Sequence, residues 1–107
     1  MQSIIVRHRK QTKRTNQSTV QPLAHAGEVL TLPCTIEQGS LGKKYRRISG
    51  LPDGWQFSTA IPSMHGVGYG EGWIEVDLDK IETIAPAVVR DELLGKKHRY
   101  YIEALHE

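Results

Sequence analysis

The apolar residues of this chain recur mostly at period two, the spacing of a strand with one buried face. Trp73-Ile74-Glu75-Val76-Asp77-Leu78-Asp79 shows it best, and predicts a strand with Ile74, Val76 and Leu78 inward and Trp73, Glu75, Asp77 and Asp79 outward. Leu30, Leu32, Cys34 and Ile36 share one parity between His25 and Ile36, which predicts a second strand. Pro33 inside it has no N–H for a ladder, so this strand belongs at a sheet edge or bends there. Trp55, Phe57 and Thr59 predict a third strand, up to Ile61, and Lys43 to Ile48 a short basic one carrying Tyr45. The β-branched run from Gln2 to Val6 reads as a further strand.

Between these segments lies turn chemistry. Gly50-Leu51-Pro52-Asp53-Gly54 combines a fixed φ, an Asp side chain that bonds its own backbone, and a glycine for the left-handed position. Pro86, followed by Ala87, Val88, Asp91, Glu92, Leu93 and Leu94 and stopped by Gly95, predicts one helix of roughly nine residues. Residues 99–105 satisfy both periods: Tyr100, Ile102 and Ala104 alternate, while Tyr101 and Leu105 fit a helical face. From Arg7 to Gln21 there is no apolar period at all, so this stretch cannot bury enough surface to offset its chain entropy.

The expected architecture is therefore α+β: a small, strongly twisted antiparallel sheet or SH3-like barrel, with one C-terminal helix and a flexible basic N-terminal arm. Gly27-Glu28-Val29 opening a strand and Gly72-Trp73-Ile74-Glu75-Val76 closing one resemble the pattern of SH3-like barrels. Residues 1–21 form the arm and 22–107 a single small globular domain, since 107 residues are too few for two hydrophobic cores. Leu, Ile, Val and Phe make up 26 of the 107 residues, above the level of disordered chains. There is no apolar run near the length of a membrane span and no signal-peptide core before Arg7, so the expectation is a cytoplasmic protein.

Charge changes the picture more than composition does. Residues 1–50 carry nine Lys/Arg against Glu28 and Glu37, and residues 51–107 carry five against ten acids. Arg7, Arg9, Lys10, Lys13 and Arg14 precede the first acid, Glu28, and form a polycation suited to a polyanion. Five phosphate contacts would give log K a salt slope of about −4 to −5. Lys43-Lys44-Tyr45-Arg46-Arg47 interleaves cations with a ring, the combination that meets phosphates and stacks on exposed bases. Tyr69, in the glycine series Gly66, Gly68, Gly70 and Gly72, and Lys96, Lys97 and Arg99 are candidate partner contacts. If the arm is a grip, removing residues 1–21 should leave the fold intact and abolish most binding.

Catalytic chemistry has little to stand on. One cysteine excludes an internal disulfide, and Cys34 has the inward parity of a buried thiol, which outweighs activation by His25 nearby in sequence. The five histidines lack a zinc-ligand spacing. Glu75, Asp77 and Asp79 share a strand face, but a solvated acidic face explains them better than a divalent metal. The glycine series matches no phosphate-binding loop. The expected function is that of a small non-enzymatic nucleic-acid-binding accessory or regulatory protein, without cofactor, metal or membrane, acting on DNA or RNA. The alternative is a protein-interaction module: a small subunit, adaptor or inhibitor of a larger complex, with a homodimer also open if the first strand swaps onto a neighbour.

Overall fold

The computed structural model describes residues 1–8, 27–57, 68–70, 72–81, 87–91 and 97–107. Among these residues nine antiparallel strands build two sheets: β1 (Ser3–His8), β2 (Val29–Pro33), β3 (Thr35–Gln38), β4 (Tyr45–Ser49), β5 (Trp55–Phe57), β6 (Gly68–Gly70), β7 (Trp73–Asp77), β8 (Ala87–Asp91) and β9 (Lys97–His106). The five-stranded sheet has the order β2-β1-β9-β8-β5 and the four-stranded sheet the order β3-β4-β7-β6. The helical structure among the described residues includes a 3-10 turn at Leu78–Lys80, capped by Asp77, whose carboxylate accepts from Asp79 N–H at 2.9 Å.

One core joins the sheets. In the four-stranded sheet Ile36, Ile48 and Ile74 stand in register as a single row. In the five-stranded sheet the inward rows are Leu32/Ile4/Leu105, Leu30/Val6/Ile102 and His8/Tyr100/Val88/Phe57. Ile4, Ile48, Ile74, Tyr100 and Ile102 have no exposed surface. Each such aliphatic side chain contributes about 1.5–3 kcal/mol on burial, which makes these rows the main force holding the sheets together.

Pro33 does what its missing N–H dictates. The chain leaves the edge of the five-stranded sheet at Pro33, turns at Cys34, and enters the edge of the four-stranded sheet as β3. The Gln2 side chain fastens the corner, donating to the Ile36 carbonyl at 2.8 Å and accepting from Ile36 N–H at 2.9 Å. The Pro52-Asp53-Gly54 turn also forms as expected, with Gly54 at φ +88° and Trp55 N–H donating to the Pro52 carbonyl at 3.1 Å.

Two expectations need correcting. The fold is not α+β and has no C-terminal helix: no helix of seven or more residues occurs among the described residues, and Ala87–Asp91 is β8. Its β-branched pair Val88-Val89 lies between two strands, and the fully buried Val88 joins the core row of Tyr100, so tertiary pairing overrides the local helical signals. Nor is a single barrel or sheet formed; the strands divide into two sheets. The first eight residues of the expected arm carry β1, which is paired on both sides and contributes Ile4 and Val6 to the core. Removal of residues 1–21 would take out a central strand.

Strand β9 explains why its sequence satisfies two periods. Val6 pairs with Ile102 but Ile5 with Ala104, so Glu103 is the extra residue of a bulge. The bulge returns Leu105 to the core side opposite Ile4.

Candidate nucleic-acid interface

The basic strand β4 follows a turn in which Tyr45 N–H donates to the Gly42 carbonyl at 3.1 Å, and its cations are met by acids from the second half of the chain. Lys44 Nζ lies 3.6 Å from Asp77 and 3.5 Å from Asp79, and 5.5 Å from the centre of the Tyr45 ring. The Asp77 charge, ahead of Tyr45 and Asp79, raises the pKa of Lys44 above that of an ordinary lysine. Arg46 Nε donates to Glu107 at 2.8 Å, and Arg47 lies 4.3 Å over the Trp73 ring. Lys43 is exposed, with its carbonyl accepting from Arg46.

The acidic face expected on β7 is not solvated. Glu75 and Asp77 are 3% and 2% exposed. Glu75 accepts from Ser40 N–H and from Ser40 Oγ, each at 3.0 Å, beneath the turn that passes over it. Asp77 serves Asp79 N–H and Lys44. These bonds account for both carboxylates as structural groups. Among the described residues no three His, Cys, Asp or Glu side chains gather as a metal site. Cys34 is half-buried against the core, and its thiol pKa is raised by burial, the opposite of activation.

The other basic residues belong to a different end of the molecule. Arg7, in β1, is bonded to Glu103 in β9 and donates to the Gly27 carbonyl at 3.4 Å; the Glu103 hydrogen bond is the main cause of its raised pKa. Arg9, Lys10, Lys13, Arg14 and Lys96 lie outside the described residues. Yet the points where the chain leaves and re-enters are fixed: His8 N–H donates to the Glu28 carbonyl at 2.8 Å, and the chain returns through Gly27 at φ +78°. The basic stretch is thus a connection between neighbouring antiparallel strands. Lys97 opens β9 at this same end, after the β8–β9 connection, and Arg99 is exposed two residues later. Tyr69 is placed in β6, paired with Ile74 in the other sheet.

Comparison with protein-family models, curated proteins and solved structures gave no match.

Beneath the basic end sits a polar group that period and spacing did not reveal. His8, 4% exposed, has Nε2 3.3 Å from Nδ1 of His98 and its ring edge-on to Tyr100, with centroids 4.9 Å apart. The Tyr100 hydroxyl donates to Glu28 at 2.8 Å, and Trp55 packs against the same ring. These contacts anchor the two roots of the basic connection to β9. The two polar contacts span 72 and 90 residues of sequence, so only the pairing of β1 with β9 and β2 brings their partners together. Alternation of His98 with Tyr100 was the one local signal.

The sequence-predicted basic surface is therefore divided. Arg46 is tied to Glu107, beyond one end of β9, while Lys97 begins the other end, ten residues away, about 30 Å along a strand.

Proposed function

We propose that this protein binds nucleic acid without catalysing a reaction on it, gripping phosphates with the end of the five-stranded sheet from which residues 9–26 and the β8–β9 connection both emerge. The observation that carries this reading is their common origin. Because β1 and β9 are adjacent and antiparallel, the stretch holding Arg9, Lys10, Lys13 and Arg14, without one acid, shares an end with Lys96, Lys97 and Arg99. In the sequence the second group follows Asp91 and Glu92 whereas the first has no acid, so the first carries the larger net charge. The strand around Lys43–Arg47 is a poorer grip than its composition suggests. A phosphate there must compete with Asp77, Asp79 and Glu107, although such exposed pairs are individually worth under about 1 kcal/mol.

A salt titration of full-length protein on generic DNA and RNA oligonucleotides tests the reading. Binding should strengthen steeply as salt falls, with a log–log slope of about −3 to −5 for four or five phosphate contacts. No measurable binding at about 50 mM salt, where phosphate contacts are strong, contradicts it.

The alternative, a protein-interaction module, is favoured by one specific feature. Strand β2 is an edge with no charged residue among Val29–Pro33, and Val29 is 45% exposed. An extended partner segment can add to such an edge. No helix of the described residues is long and apolar enough to cross a membrane.

A further inference from the structure

We infer that the outer face of the five-stranded sheet is a platform for single-stranded nucleic acid, with Tyr101 as its stacking ring; the inference rests on the proposed nucleic-acid function and names its substrate class. The register sets Thr31/Ile5/Ala104 and Val29/Arg7/Tyr101 as adjacent rows on the side away from the core. A groove of about 440 Å³ opens there beside the β9 bulge, lined by Ile5, Tyr101, Ile102, Glu103 and Ala104. Among the described residues the four-stranded sheet packs on the core side, and Tyr101, partly exposed, stands in the outward row beside Arg7, with Ile5, Glu103 and Ala104 along the groove.

Charge decides the occupant. The acid lining this groove, Glu103, is already held by Arg7. Arg99 is exposed with the parity of Tyr101, two residues and about 7 Å up the strand, or about one nucleotide of extended chain. Beyond Arg99 lies the end of the sheet at which Lys97 opens β9 and β1 leads into the sequence that holds Arg9, Lys10, Lys13 and Arg14. A strand whose bases rest on Tyr101 thus has a phosphate within reach of Arg99 and runs toward the end of the sheet where the basic sequence leaves β1. A duplex cannot use the ring, because its bases are stacked on one another and present only their edges.

The test compares anisotropy titrations on a labelled thymidine oligomer of about 12 nucleotides and on a duplex of the same length, a size within the usual range of single-strand sites. Tyr101→Ala should weaken single-strand affinity about 5- to 100-fold, the loss expected of one stacked base, and leave the salt slope and duplex affinity unchanged. Tyr101→Phe should retain wild-type affinity. Should Tyr101→Ala melt well below wild type, Tyr101→Leu keeps the apolar contact without the ring and gives the same reading. Unchanged single-strand affinity in a folded variant, while neutralising Arg9, Lys10, Lys13 and Arg14 abolishes binding, overturns the platform and leaves the proposed function standing. So does an equal loss on both nucleic acids. Failure of the wild-type protein to bind either oligonucleotide at low salt overturns both.

Discussion

Gly70 and Trp73 show how tightly a short polar-looking segment can be constrained. A Cβ built on Gly70 would lie 1.9 Å from the Trp73 ring, which also receives Arg47 at 4.3 Å. Gly70→Ala must therefore displace the indole, and should cost about 1–3 kcal/mol by overpacking. A urea melt with unchanged m-value and altered tryptophan emission checks it; wild-type stability contradicts it. At Gly70 the missing side chain makes room for a ring on the partner strand. Cys34 is a second single-residue case. Its parity with Leu32 and Ile36 correctly indicated an inward thiol, and burial raises the pKa above the ordinary value near 8.5. A raised pKa leaves less thiolate at any given pH. Alkylation by iodoacetamide at pH 8 should thus be slower than for a free cysteine, and its pH profile should be displaced upward until urea removes both effects. A rate equal to that of free cysteine throughout the profile would show the thiol to be solvated.

Alternation located the β2–β3 pair bent at Pro33, β4, the start of β5 and β7, and the β-branched run located β1; the strand expected up to Asp79 ends at Asp77, where a 3-10 turn takes Leu78, and the expected continuation after Phe57 lies outside the described residues. Legibility failed wherever a neighbour far away in sequence decided the outcome. Residues 87–91 carry a helix-opening proline before them and a glycine after them, but the flanking strands β5 and β9 supply ladder bonds and a core position for Val88. Secondary chemical shifts should accordingly be strand-like from Ala87 to Asp91; helical shifts there would undo this part of the fold. The ambiguity of residues 99–105 has a different cause. A bulge at Glu103 breaks period two in mid-strand, and the resulting Ile102/Leu105 spacing imitates a helix. On β7 the period was right and the environment wrong. Glu75 and Asp77 do face away from the isoleucine row, but the Ser40 turn and Lys44 cover them, and neither cover is visible in the alternation.

At the scale of the whole molecule, the basic first half and acidic second half look along the chain like a recipe for external partners. Folding spends much of that complementarity internally: Arg7 meets Glu103, Lys44 meets Asp77 and Asp79, and Arg46 meets Glu107. The acids that meet Lys44 and Arg46 were not legible from the composition of that basic run, since pairing across 33 to 61 residues cannot be seen in a local charge run. The arm was legible as a polycation but not as a connection rooted between β1 and β2. That placement matters for design, because a truncation test would destroy β1. Neutralising side chains leaves the strand intact. The most direct measurement is therefore the affinity and salt slope of two full-length variants beside wild type on one oligonucleotide: Arg9, Lys10, Lys13 and Arg14 all changed to Gln, and Lys44 and Arg46 changed to Gln. Placement of the grip at the His8/Lys97 end predicts that the first variant loses most affinity and about 3.6 units of slope, at about 0.9 per phosphate contact, while the second stays within about twofold of wild type. The reverse pattern, with the Lys44/Arg46 variant losing the binding and the four-fold variant keeping it, would move the interface to β4 and contradict the account.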